Sequence, residues 1–267
     1  MRSTLIDKIV EEKKECPIVL GHRGIRNEDI PENTIAAFEE ALRREASGIE
    51  IDVESTLDGN LIVVNRWFLQ SKFGFFPWEK TFEEIQKLAV GKGIDIPTFF
   101  ETCEFIKQKN NLIFNVEIKS SHPFICHTAR KAVNIIRHHG VDEHVIISSF
   151  DINTLLTTRF FHRTIETAYL FRSVDRVVDL KNKKKWRYRI NSMINHTGIK
   201  GFLIGVDTLH PEITLFPNNS AEKLWMKAAR WLGKRVNTWT VDKREDLSKA
   251  ILSGVKIVIS DNVKKII

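Results

Sequence analysis

Short apolar runs alternate with amphipathic stretches along the whole chain, the pattern that parallel strands and crossover helices leave in a sequence. The first run, Pro17 to His22, leads to the turn and cap residues Pro31-Glu32-Asn33-Thr34. A helix follows over IAAFEEALRREA, with Ile35, Phe38 and Leu42 on one side. The second run, Gly48 to Val53, sets Glu50 and Asp52 two apart among Ile49, Ile51 and Val53, so in a strand both carboxylates face the same way. The third is LIFNVEIK, Leu112 to Lys119, entered from a helix over Thr98 to Lys107 and left by one running through Arg137. HVIISSF, TIETAYLF, KGFLIGV, KRVNTWTV and GVKIVIS, beginning at His144, Thr164, Lys200, Lys234 and Gly254, complete a set of eight strands.

Eight strands separated by helices predict an α/β fold, the (β/α)8 TIM barrel. An open doubly wound sheet is the alternative, but no glycine-rich dinucleotide turn follows the first strand. One stretch breaks the repeat. Asp58-Gly59 reads as a hairpin turn into LIVVN, and the aromatic loop FGFFPW follows at Phe73 to Trp78. The expectation is a single domain over residues 1–267 with a small cap inserted over 54–97.

With 267 residues, 42% of them hydrophobic, the chain is long enough for one large core. Its 41 Lys and Arg against 34 Asp and Glu give a formal charge of +7, which favours anionic partners without choosing among them. The basic run Lys181 to Arg189 reads as a solvated face, and with no recognisable recognition fold nucleic acid is not an expected partner. Cys16, Cys103 and Cys126 are too few and scattered for a disulfide framework or a zinc knuckle. The N-terminus is charged where a secretory signal is apolar, and no run reaches membrane-spanning length, so a soluble cytoplasmic protein is expected. Phe73, Phe75, Phe76 and Trp78 have two readings, a small core for the cap or a peripheral contact with a membrane interface. Nothing in the pattern specifies an oligomeric state.

In such a barrel the carboxyl ends of the strands converge, and here they carry His22-Arg23-Gly24, Glu50 and Asp52, Glu117 and Lys119, Ser148-Ser149-Phe150, Trp239-Thr240 and Ser260-Asp261. Three carboxylates from adjacent strands, Glu50, Asp52 and Glu117, suit a hard divalent cation, Mg²⁺ or Ca²⁺. Arg23 and Lys119 beside them call for an anion, with phosphate the natural candidate. His22 is the candidate catalytic histidine, Gly24 would let the backbone approach a ligand closely, and Trp239 is assigned to the substrate pocket.

Taken in order, six motifs resemble the glycerophosphodiester phosphodiesterase family over almost the whole chain. They are His22-Arg23-Gly24 with Pro31-Glu32-Asn33-Thr34, Glu50-Ile51-Asp52-Val53 with Thr56-Leu57-Asp58-Gly59, Val116-Glu117-Ile118-Lys119, Ser148-Ser149-Phe150, Trp239-Thr240-Val241 and Ser260-Asp261. The resemblance implies a barrel with a small insertion, a divalent metal at Glu50, Asp52 and Glu117, and a phosphate held by Arg23 and Lys119. The implied reaction hydrolyses a small-molecule glycerophosphodiester to an alcohol and glycerol 3-phosphate. It also implies a second catalytic histidine after the Asp-Gly turn and the Val-Val run, where this chain has Val63-Val64-Asn65-Arg66. Asn65 hydrogen-bonds but exchanges no proton near neutral pH. Three outcomes are open: a weakened enzyme or a noncatalytic binder of phosphodiesters, a substitute group such as His122, or base work by metal-bound water alone. Arg66 is open between a phosphate contact and solvent.

Overall fold

In the computed structural model, which describes residues 5–12, 17–27, 29–119, 126–172, 198–217 and 223–267, the strands are β1 (Ile18–His22), β2 (Gly48–Ser55), β3 (Leu61–Val63), β4 (Ile113–Ile118), β5 (Val145–Ser149), β6 (Glu166–Phe171), β7 (Thr208–Pro211), β8 (Arg235–Thr238) and β9 (Ile257–Ser260). Eight of them pair in parallel as a closed ring, β1-β2-β4-β5-β6-β7-β8-β9 and back to β1. β3 alone runs antiparallel, against the end of β2. The helices are α1 (Leu5–Glu12), α2 (Ile35–Arg43), α3 (Arg66–Phe73), α4 (Phe82–Val90), α5 (Phe99–Lys107), α6 (His127–His139), α7 (Ile152–Phe161), α8 (Ile199–Ile204), α9 (Leu224–Trp231), α10 (Arg244–Leu252) and α11 (Val263–Ile266). This is a (β/α)8 TIM barrel.

Strand alternation builds two apolar layers. Val19, Ile49, Ile51, Val53, Phe114, Val116 and Ile147 point outward and pack against helix residues such as Phe38, Phe99, Val133 and Leu155. Ile18, Leu20, Ile113, Ile146, Ala168, Ile257 and Ile259 fill the barrel, and Ile6 and Ile9 of α1 join that cluster. Since α1 reaches it from the amino ends of the strands, where Asp7 contacts Arg235 and through it Glu166, it stoppers the bottom of the barrel. A cavity of about 560 Å³ lies at that same end, lined by Asp7, Glu166 and Arg235, and shares no residue with the converging strand ends.

Between β2 and β4, residues 56–97 carry β3, α3, a 3-10 turn over Pro77–Glu79 and α4, gathered around Ile62, Val64, Leu69, Phe75, Ile85, Ala89, Ile94 and Ile96. Thr81 caps α4 and Thr98 caps α5, each with a Glu three residues on that closes a capping box. Phe75 is buried in this cluster, with Phe73 partly buried against it. The exposed large apolar side chains here are Leu57, Trp67, Trp78, Leu88 and Val90.

One strand lies elsewhere than predicted. KGFLIGV is not the sixth barrel strand: its residues from Ile199 to Ile204 are helical, bounded by Gly198 and Gly205 in the left-handed region, and the strand is Thr208–Pro211. Gly201 brings α8 within 2.9 Å of Tyr169 and Leu209 for any added Cβ, so the apolar run belongs to a helix packing on the strands. Polar Thr208 and His210 meet Glu166 and Asn237 within the barrel, so the real strand shows no apolar run. Cys103 and Cys126 are buried, and neither is in a disulfide. No helix among the described residues is long and apolar enough to cross a membrane. The basic run 181–189, Cys16 and His122 lie outside the described residues.

Candidate functional site

β2 places Glu50, Asp52 and Glu54 on the side opposite Ile49, Ile51 and Val53, and all three acids are buried. Parallel register then sets His22 beside Glu50 and Asp52 beside Glu117, so three strands deliver their acids at one level. One carboxylate oxygen from each of Glu50, Asp52 and Glu117 lies within 4.8 Å of the others.

Cations hold this cluster. Arg23 Nε lies 2.9 Å from Asp52 Oδ2, Lys119 Nζ lies 2.9 Å from Asp52 Oδ1, and Lys119 also contacts Glu117. Asn33 and Asn65 donate their amides to Asp52 Oδ2 at 3.2 and 2.9 Å. Burial raises the Asp52 carboxyl, yet Lys119 and Arg23 outweigh it and hold it below the usual carboxylate range. Glu50 is raised, first by burial and then by Asp52 and Glu117. The donor set fits a hard divalent cation: all oxygen, buried, with Glu50 Oε1 receiving no hydrogen bond. A buried carboxylate oxygen without a donor is costly, and a cation there removes the cost.

His22 is fixed from behind. Its Nδ1 lies 2.6 Å from Asp261 Oδ1, which leaves Nε2 toward the cluster, 3.7 Å from Glu50 Oε2. Burial lowers its pKa, but Glu50 and Asp261 prevail and hold it above the ordinary histidine value, which favours the protonated ring. Asp261 is held in turn by Arg26 at 3.2 Å, and its N–H donates to Asp242.

The turn after β1 is strained. Arg23 has φ 57° and Asn33 φ 60°, a region that asparagine tolerates and arginine seldom occupies. Glu32 secures the arginine with a 2.6 Å bond from Arg23 Nη1 and also takes Arg26 at 2.8 Å. Gly24, at φ 81°, lies against α2, and a Cβ there would fall 2.6 Å from the Ala37 backbone.

Asn65 is buried and fully used, since its amide bonds Asp52 while its Oδ1 accepts from Trp67 N at 3.0 Å as the cap of α3. Arg66 is not in solvent. Its Nε and Nη2 grip Glu54 at 2.5 and 2.9 Å, Nη2 donates to the Lys119 carbonyl at 3.0 Å, and the guanidinium lies 5.1 Å from the Trp78 ring. Trp239 donates Nε1–H to the His210 carbonyl, packs on the barrel filling and meets Phe150 edge to face at 5.7 Å. The structure thus brings together His22, Arg23, Glu50, Asp52, Asn65, Glu117 and Lys119, while Trp239 contacts Phe150 and His210 instead. Sequence reasoning missed Glu32, Asn33, Glu54 and Asp261 as working parts. Asn33 and Glu32 had a signal, two polar residues wedged between a turn proline and a helix cap, but they read as turn chemistry only.

Residues 22–265 match the model of the glycerophosphoryl diester phosphodiesterase family. A protein of Caldanaerobacter subterraneus subsp. tengcongensis named glycerophosphodiester phosphodiesterase is 30% identical over 259 residues, covering 94% of this chain and 96% of its own length. Among solved structures, a glycerophosphodiester phosphodiesterase from Parabacteroides distasonis superposes with a TM-score of 0.75 at 21% identity, over 95% of this chain and 96% of that one. An Oleispira antarctica phosphodiesterase in complex with the product sn-glycerol-3-phosphate gives 0.70 at 21% identity, over 94% and 95%.

Proposed function

The chain belongs to the glycerophosphoryl diester phosphodiesterase family, and from that premise we propose that it hydrolyses glycerophosphodiesters to an alcohol and glycerol 3-phosphate with the help of Mg²⁺ or Ca²⁺. The observation that carries the reading is the meeting of Glu50, Asp52 and Glu117 with His22, Arg23 and Lys119 at one end of the barrel. The three carboxylates would hold the cation, which when bound polarises a phosphoryl oxygen. Arg23, immobilised by Glu32 and Asp52, and Lys119 would neutralise the phosphate. Hydrolysis joins a water oxygen to phosphorus, breaks the bond to the alcohol oxygen, takes one proton from the water and delivers one to the alcohol. His22, with Nδ1 engaged by Asp261 and its protonated form favoured, is suited to deliver a proton from Nε2.

Asn65 in the place of a second histidine would weaken turnover, because loss of one proton-transfer group costs about 10²–10⁴ in rate. It also favours a second reading, a binder without chemistry. Hydrolysis of glycerophosphoglycerol in the presence of Mg²⁺ or Ca²⁺ separates them. Turnover that disappears in His22→Ala and on chelation supports the enzyme; turnover seen only in Asn65→His leaves the binder.

We assign residues 54–97 to a cap beside the strand ends, and to its outer aromatic surface a peripheral membrane contact. Trp67 meets Phe76 edge to face at 5.5 Å there, and Phe76 stacks on Trp78 at 4.8 Å, beside Arg66. Trp67→Ala/Trp78→Ala should release the protein from anionic vesicles, and failure of the natural chain to sediment with them would refute the contact.

A further inference from the structure

From the acidic cluster a cleft of about 430 Å³ leads outward between α3 and β6, sharing Asn65, Glu117 and Lys119 with the site and lined beyond them by Arg66, Trp67, Phe150, Asp151 and Arg172. A substituent on a phosphate bound at Arg23 and Lys119 has room there. The charges that face it are unequal in availability. Asp151 spends its carboxylate as the cap of α7, accepting from Asn153 N at 3.3 Å, Thr154 N at 2.9 Å and Thr154 Oγ1 at 2.8 Å. Glu117 is taken by Lys119, and Arg66 is taken by Glu54.

Arg172 remains. It is exposed, lies 5.5 Å from the Phe150 ring centroid, and has no carboxylate within ion-pair distance among the described residues. Its guanidinium covers the Phe150 face while Trp239 meets that ring edge to face, so the aromatic surface that would attract a quaternary ammonium already carries a cation.

We propose that this cleft is the headgroup subsite and that Arg172 makes it select anionic headgroups, those bearing a phosphate or carboxylate, over trimethylammonium headgroups. The proposal rests on the hydrolytic reading above and names which diesters that site takes. Arg172 presents a planar fork suited to bidentate pairing with phosphate or carboxylate. Trp67, on the outer wall, offers a flat apolar edge to the carbon skeleton of a polyol.

The test is a charge series on one scaffold: glycerophosphoglycerol 3-phosphate, glycerophosphoglycerol and glycerophosphocholine, compared by kcat/KM and, by calorimetry, by Kd. In the natural chain the anionic diester should exceed the choline diester by about tenfold at low ionic strength, mainly through KM, and the ratio should shrink with salt. Arg172→Gln should bring the ratio to about threefold or less, and Arg172→Lys should keep most of it. A choline diester bound and turned over as well as the anionic one, or a ratio unmoved by Arg172→Gln, overturns the proposal. If none of the three is hydrolysed, the hydrolytic reading fails by itself, and the ratio of Kd values still decides the selectivity.

Discussion

Asn65 holds a carboxylate with its amide and starts a helix with its carbonyl oxygen, so both ends of the side chain are occupied by structure. Neither end moves a proton. A leaving alcohol must be protonated, whereas an aryl leaving group departs as a stable phenolate. Since His22 is the residue suited to that protonation, His22→Ala should cost an alkyl diester at least about 10² more in rate than a p-nitrophenyl ester of glycerol 3-phosphate. Equal losses for the two esters would mean that His22 does not protonate the leaving group. Asn65→His should lower stability by about 1 kcal/mol through the lost cap, read as a small fall in Tm. Glu54 and Arg66 make a similar point one step further out: a buried acid on the site face of β2 serves to anchor α3 through Arg66.

β7 shows how an element can be hidden by its own polarity. Thr208 and His210 face inward, Thr208 donating to Glu166 and His210 Nε2 lying 2.8 Å from Asn237 Nδ2, which donates only to a ring nitrogen without its proton. Burial, with Arg235 nearby, lowers the His210 pKa from 6.5 to about 3. Between those values the unfolded chain binds a proton that the folded one refuses, so the contribution of His210 to stability is complete above pH 6.5 and is lost progressively as pH falls toward 3. Denaturant unfolding of the natural chain and of His210→Gln should thus differ in slope, with the natural chain losing about 1.4 kcal/mol more per pH unit below that upper value. Parallel slopes would show that His210 is already protonated in the fold.

Across the whole molecule the two ends of the barrel do different work. The carboxyl ends bear the charged cluster, while the amino ends are closed by α1 through Ile6, Ile9 and the Asp7–Arg235 pair. Ile6→Ala removes a buried side chain from a plug that touches none of the site residues, so it should cost about 2–4 kcal/mol in denaturant unfolding and leave kcat per folded molecule unchanged. A fall in kcat at full folding would instead couple the plug to the opposite face.

Alternation within β2 and β4 made the barrel, the three cluster acids and their cationic neighbours legible from the chain alone, because period-two spacing and a fixed place for barrel sites are local rules. The same rules fail wherever a residue's partner is remote in sequence. Asp261 meets His22 across the closing seam of the ring, Glu54 finds Arg66 only once the hairpin has turned back, and Arg172 acquires its place from β6 lying next to β5. KGFLIGV looked like a strand because helix and strand share short apolar runs, and packing against Tyr169 and Leu209 decided the matter. The sequence by itself determined which chemical groups the molecule owns and which strand ends carry them. Tertiary structure decided which charges are spent on one another and which stay available to a ligand, because burial and pairing exist only after the ring has closed.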